Sequence, residues 1–521
     1  MPFMQVLHLT GQDLFVTLGD FYNTGKCCHT CMKRGFVMKV AIIGAGMDAV
    51  QSMEHAKQLN IVTLALDDRP DAPGSAVADA FHLVDFTKKE DMIELLRREK
   101  VDFLMPFVDG EKALVAGAIN DALHLPGYSE KAAELCTDRY LFHKQLRGKG
   151  LRMHHCFLLT RDYLFDPFEI TYPAIVKPRY AENDTEEVFY MSCPGDLVEF
   201  QVKRFNLLPK EEPKEEKKGF RPIVTPKSET VQNTPGWNAT VAAKKQQNER
   251  IKEELLRLNK ELMELDKKQE KEKLTGLEWL VQKKLELADK NREEKSFDSD
   301  AEYVLEEVFD GREYAIDAAM EGCNMEIVMI WEKLMTAPPA MQAVGYLTVP
   351  PEEDRVLYDR MKKYLDRVVE TIGLRDCMFR ADVRVKGKDL FAIHISLRPA
   401  PSRIHDEMLP YSTGIHIGRE YLCYMSGRRH NFQPLQVKNS MLHYFDMENC
   451  FVHDVPTEKD LTIPVGIQLK QWKCSIKTLD YLEHVTTGES LTKRGYYILE
   501  GEKDSRLLQT VERIHELFRI S

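Results

Sequence analysis

The sequence predicts an α/β chain: a parallel-sheet domain first, then a larger α+β region that a charged helical insertion interrupts. Three observations carry this reading. Strand and helix patterns alternate between residues 38 and 126, which argues for parallel strands joined by right-handed crossovers. Later strands come in adjacent pairs around Gly311 and around Lys386-Gly387-Lys388. Between residues 209 and 297 the composition shifts abruptly, first to Pro, Lys, Glu and Thr, then to helix formers with a leucine seam.

The bulk numbers bound the function. The chain has 521 residues, 43% of them hydrophobic, enough for about three domains with real cores. A formal charge of −11 with 30% charged residues disfavours a general nucleic-acid or anionic-membrane binder. No apolar run approaches the roughly 20 residues that span a bilayer. A basic start followed by an apolar core is missing, so no secretory signal is expected. Eleven scattered cysteines fit free thiols in a reducing cytoplasm better than a disulfide framework.

Residues 1–37 read as an extension, and Met38, directly before the first strand, is an alternative start. They contain "GKCCHTC", where Cys28 and Cys31 have a C-x2-C spacing, but no second Cys or His pair of similar spacing follows nearby. Residues 38–126 open with "MKVAIIGAGMDAV". Gly44 and Gly46 are followed by Ala49 at the third glycine position, and Asp67 and Asp68 end the second strand. A nicotinamide enzyme would hold a ribose there, yet nothing later supplies a hydride-transfer site. Residues 127–208 hold the helix "TDRYLFHKQL" and the strand "YPAIVKPRY", which brings Lys177 to its end. The loop "AENDTEE" follows, free of glycine and carrying Glu182, Asp184, Glu186 and Glu187.

In the insertion, Ile251, Leu255, Leu258, Leu262 and Leu265 repeat at spacings of four and three, the seam of a coiled coil. Thr275 and Gly276 break it before a second helix, so a helical hairpin is expected. Residues 239–296 would then offer a surface to a second copy or a protein partner. Residues 298–425 return to strands and one long helix, ending in "FAIHISLRPAP". There the alternation of Phe391, Ile393 and Ile395 predicts one buried face, with His394 and Ser396 turned to a site. Residues 426–521 hold a few strands, a final helix and no motif with a chemical reading.

The order of these pieces resembles the ATP-grasp superfamily of nucleotide-using ligases, over residues 38–425 apart from the insertion. The resemblance implies a Rossmann-like first domain that helps bind substrate and not NAD. It implies ATP as cofactor, with Arg139 at a phosphate-contacting position and Lys177 as the strand lysine on the phosphates. Glu307, with the backbone of Val308 and Phe309, falls where adenine is held, and Glu313 where the ribose hydroxyls are received. Asp382 matches the first metal-bearing carboxylate. The second motif, normally Glu-x-Asn-x-Arg, reads His394-Ile395-Ser396-Leu397-Arg398. His394 and Ser396 thus stand as metal ligands and Arg398 as the catalytic arginine. Magnesium prefers hard oxygen donors, so a His–Asp set is expected to favour manganese or zinc, or to hold no metal. Arg403 reads either as a surface salt-bridge arginine or as a contact to a substrate carboxylate. The activity implied is ATP-dependent joining of a carboxylate to an amine through an acyl phosphate, with amino acids among the candidate substrates. The glycine-free acidic loop departs from the family's mobile glycine-rich loop. That leaves open a degenerate nucleotide-binding or scaffolding module.

Overall fold

The computed structural model describes residues 37–180, 188–205, 207, 250–253, 257, 260, 301–308, 310–401 and 403–521. The acidic loop at 181–187, Phe309 and nearly all of the helical insertion lie outside these residues. Ile251, near the start of the insertion's leucine seam, packs on the core of the second sheet.

The first domain is a parallel sheet of β1 (Lys39–Ile43), β2 (Val62–Asp67), β3 (Ala80–Leu83) and β4 (Phe103–Pro106), in the order β3-β2-β1-β4. Its glycine turn is tight. Gly44 has φ +86°, and a Cβ there would sit 2.6 Å from Val108 Cγ1, so a side chain is excluded both sterically and conformationally. Asp67 closes this turn, accepting from Ala45 N at 2.7 Å and from Arg69 Nε at 3.1 Å. Burial opposes the charge on Asp67, but the hydrogen bonds from Arg69 and Ala45 hold its carboxyl below the usual range. The acid at the end of β2 therefore serves the turn itself, which accounts for a fingerprint that looks dinucleotide-like.

The second sheet is antiparallel: β5 (Cys156–Leu159), β6 (Ala174–Pro178), β7 (Phe189–Met191) and β8 (Tyr303–Glu307), in the order β5-β8-β6-β7. One face carries Val176 and Leu305 into a core shared with Leu197, Val198 and Val202 of the helix Pro194–Arg204. The other presents Cys156, Lys177 and Glu306 toward the helix Arg139–Gly148.

The central sheet contains β9 (Arg312–Glu321), β10 (Asn324–Met335), β11 (Ala343–Thr348), β12 (Met378–Lys386), β13 (Asp389–Ser396), β14 (Ser440–Tyr444), β16 (Ile467–Cys474) and β18 (Gly495–Gly501). Their order is β13-β12-β9-β10-β11-β14-β18-β16. The helix Arg355–Ile372 repeats apolar residues at helical spacing and buries Met361, Leu365, Val368 and Val369 against Ile316, Phe379 and Ala381. The C-terminal residues, read from sequence as a separate region, continue this sheet: β14 pairs with β11, and β18 and β16 follow. A small sheet of β15 (Cys450–Asp454), β17 (Tyr481–Leu482) and β19 (Arg519–Ile520) closes the end of the chain. Among the described residues, no helix is long and apolar enough to cross a membrane.

Candidate active site

A cavity of about 490 Å³ lies where the first domain, the second sheet and the central sheet meet. It brings together Arg139, Lys177, Glu313, Asp382, His394, Ser396 and Arg398, residues up to 259 positions apart in sequence (398 − 139). Glu307, the last residue of β8, and Val308 after it are not among its lining residues. Arg403, weighed from the sequence as a substrate contact, also lines it, as do Lys333, Arg380, Asp109 and Tyr444, none of which the sequence singled out.

The aim of the His394 motif depends on a bulge. In β12 and β13, Arg384 pairs with Phe391 and Val383 with Ala392, but Asp382 pairs with His394, so Ile393 is the extra residue. A bulge reverses the alternation beyond it. Leu390 and Ala392 face the core before the bulge, and Ile395 and Leu397 face it afterwards. Ile393 lines the cavity, which corrects the expectation of a single buried face through Phe391, Ile393 and Ile395. The same irregularity turns His394 and Ser396 into the site, directly opposite Asp382 for His394.

A charge lattice lies on this face of the sheet. Lys333 Nζ is 2.7 Å from Glu313 Oε1 and 2.8 Å from Asp382 Oδ2, and Arg384 Nη2 is 2.6 Å from Glu313 Oε2. Lys333 and Glu313 are nearly excluded from solvent, their side chains 10% and 9% exposed. Burial works against charge on Glu313, yet Lys333 and then Arg384 hold its carboxyl down at about 2. Burial likewise opposes the ammonium of Lys333, and Asp382 and Glu313 overcome it, raising its pKa well above the ordinary lysine range. Both carboxylate oxygens of Glu313 are committed to cations, so ribose hydroxyls would have to compete for them. Beyond the lattice, Asp317 accepts from Trp331 Nε1 at 2.5 Å and pairs with Arg380 at 3.2 Å, whose guanidinium lies 5.2 Å from the Tyr346 ring centre.

Asp109 ties the first domain to the motif. It occupies the N-cap position of the helix Gly110–Leu123, but its side chain does not cap that helix. Its carboxylate accepts from Ser396 Oγ at 2.8 Å, from Leu397 N at 3.2 Å and from Arg398 Nε at 2.6 Å. Arg398 Nη1 also lies 3.7 Å from Asp48 Oδ2. The hydroxyl proton of Ser396 is thus committed to Asp109, a partner that sequence spacing does not disclose. Arg403, which lines the cavity from the turn Arg403–Met408, donates to Tyr444 OH and is largely buried, which removes the surface salt-bridge reading.

On the opposite wall, Lys177 Nζ is 2.8 Å from Glu306 Oε2, and Arg139 Nη1 donates to the Pro178 carbonyl at 2.6 Å. The acid that faces Lys177 is therefore Glu306, the neighbour of the residue the motif spacing nominates. Val308 N donates to the Pro173 carbonyl at 2.9 Å, so its amide is committed within the chain.

Two of the nominated metal donors face each other across the hairpin. Asp382 Oδ1 is buried and has no hydrogen-bond partner among the described residues, and His394 stands opposite. Asp382 Oδ2 is taken by Lys333, and His394 stands at the position of the motif's glutamate. Phosphate oxygens and water would have to complete the coordination, as is usual for magnesium-type sites.

The chain resembles known ligases and synthetases in fold, and part of it matches an ATP-grasp domain. A family model described as an ATP-grasp domain matches residues 273–406. The formate-dependent phosphoribosylglycinamide formyltransferase of a Nitratiruptor species is 31% identical over 153 residues, which cover 27% of this chain and 37% of that protein. The same enzyme from Klebsiella pneumoniae is 26% identical over 164 residues, 30% of this chain and 40% of that one. The chain thus aligns with well under half the length of these curated relatives. Similarity to solved structures is broader. An L-amino acid ligase from Bacillus licheniformis superposes with a TM-score of 0.57 at 13% identity, covering 93% of this chain and 98% of the other. Phosphoribosylglycinamide synthetase from Anaerococcus prevotii gives 0.55 at 14%, covering 93% and 100%. An N5-carboxyaminoimidazole synthetase from Staphylococcus aureus with ADP gives 0.56 at 13%, covering 92% and 97%.

Proposed function

We propose that this chain is an ATP-dependent ligase that activates a small carboxylate as an acyl phosphate and transfers the acyl group to an amine. The observation that supports it most is the convergence of Lys177, Arg139 and Arg398 on one cavity with the unpartnered oxygen of Asp382. A bound divalent ion supplies neutralisation of the polyphosphate. Lys177 and Arg139 orient the phosphates from the second sheet, and the end of β8, with Glu307 and the Val308 carbonyl, lies where the base would rest. Glu313 acts by fixing Lys333 and Arg384 at the cavity wall, a role that replaces ribose binding. Arg398, held by Asp109, stabilises charge on the transferring group. Arg403 and Tyr444 present a cation and a hydroxyl for the substrate carboxylate. The test is a hydroxylamine trap with ATP and manganese across amino acids and small carboxylic acids. Hydroxamate should appear with at least one carboxylate. ATP binding with an empty trap throughout would leave a nucleotide-binding module, with residues 239–296 as its partner surface.

Two expected results bear on the nucleotide. Lys177→Ala should weaken ATP binding by about 1.5–3 kcal/mol, the worth of one charge-assisted contact, measured by calorimetry alongside a melt because Glu306 loses its partner. Unchanged affinity would remove Lys177 from the phosphate site. His394→Glu with Ser396→Asn should shift the metal preference of ATP binding from manganese toward magnesium, because a hard carboxylate replaces imidazole. Identical metal profiles would make His394 a structural residue.

A further inference from the structure

Joined to Lys177 through Glu306 is a second cluster that the ligase reading does not use. Cys156 and Glu306 are direct cross-strand partners on β5 and β8, so their side chains share one face. His143 of the helix Arg139–Gly148 covers that face. Ligand atoms of His143, Cys156 and Glu306 all lie within 4.8 Å of one another, and all three residues are buried. His154 Nε2 sits 3.0 Å from Glu306 Oε2, the oxygen that Lys177 also holds.

Two features make this more than a buried ion pair. The His143 side chain is 3% exposed, and neither of its ring nitrogens has a hydrogen-bond partner among the described residues. Its Nε2 approaches Glu306 Oε1 at 3.4 Å as an ion pair without a formed hydrogen bond, and that oxygen, on a side chain 6% exposed, has none among the described residues. Buried polar atoms of this kind are costly unless something completes them. Imidazole, thiolate and carboxylate together form a donor set suited to zinc. His154 and Lys177 already hold the other oxygen of Glu306, as outer partners hold a ligating carboxylate. His143 and Cys156 also border a pocket of about 300 Å³ with Tyr140, Lys144 and Arg147, which leaves room for a fourth, exchangeable ligand.

We propose that His143, Cys156 and Glu306 bind one zinc ion, with an open fourth position facing this pocket. The sulfur–metal bond forms as the thiol proton leaves to solvent, and the ion completes the orphaned histidine and glutamate atoms. This site is separate from the Asp382 and His394 set, and it does not depend on the ligase reading.

Cobalt(II) is the probe, because a sulfur-to-cobalt charge-transfer band reports thiolate ligation. The full chain is used with Cys27, Cys28 and Cys31 changed to Ser, so that the N-terminal cysteines cannot contribute. A His–Asp group elsewhere, such as His443, Asp446 and His515, gives no sulfur band. The band should appear and saturate at one cobalt per chain, and zinc should abolish it and raise the melting temperature. Adding Cys156→Ser should remove the band and weaken zinc binding by at least about tenfold, the lower end of what losing even an outer partner costs. If Cys156→Ser does not fold, His143→Gln keeps the thiol and must still lose affinity by the same factor. No band in the parent protein, a band that survives Cys156→Ser, or unchanged zinc affinity in His143→Gln overturns the site.

Discussion

Arg398→Ala is expected to lower acyl transfer by about 10²–10³-fold while ATP binding stays nearly intact, as when a donor to a developing oxyanion is removed. The guanidinium lines the cavity and is pinned through Nε to Asp109 at 2.6 Å, so it arrives oriented. A group held in this way acts at the transferring centre more than on the resting nucleotide. The measurement is hydroxamate yield beside ATP affinity by calorimetry. Because Arg398 also ties the segment after β13 to Asp109 of the first domain, Asp109→Asn serves as a control. It loosens the link but leaves the guanidinium, so its defect should be smaller. Equal hydroxamate yields in wild type and Arg398→Ala would refute the catalytic assignment.

Lys333→Met should cost about 3–5 kcal/mol of stability, the range for removing one partner from a buried charge pair. The substitution leaves Asp382 without its nearest cation and Glu313 with Arg384 alone. Denaturant unfolding of the two proteins measures it, and a difference under about 1 kcal/mol, typical of an exposed pair, would show that the lattice is well solvated. The pH dependence has a defined sign. The carboxyl of Glu313 is held at about 2 in the folded chain, against about 4.3 in an unfolded one. Its stabilisation is therefore complete above about pH 4–5 and lost as pH falls toward 2. In Lys333→Met the carboxyl moves back toward its unfolded value, so stability should depend less steeply on pH across that window.

The candidate site was legible where the sequence matches the motifs of the family it resembles. Lys177 before Pro178 at a strand end, Asp382 on the first strand of a hairpin and Arg398 just past its second strand were nominated by that resemblance, and the structure gathers all three into one cavity. Glu306 was not singled out, since Glu307 was read for adenine from the resemblance and adjacent glutamates give no signal of which one faces the lysine. Cross-strand register with β5 and β6 decides that. The bulge that aims His394 and Ser396 was equally hidden, since the alternation of Phe391, Ile393 and Ile395 reads the same with or without an extra residue.

The sequence by itself determined the α/β class, the parallel first domain and the strand pairs, because periodicity and turn chemistry are encoded within short windows. Only the tertiary structure decided what those elements hold. Asp109 meets Ser396 across 287 positions, Lys333 meets Asp382 across 49, and the strands after residue 426 join the sheet begun at Arg312. Such contacts depend on which buried charges find partners when the sheets close around the cavity. A carboxylate buried without a cation is too costly to keep, so Lys333 and Arg384 on Glu313, and Lys177 on Glu306, are selected by the packed interior and leave no periodic trace along the chain.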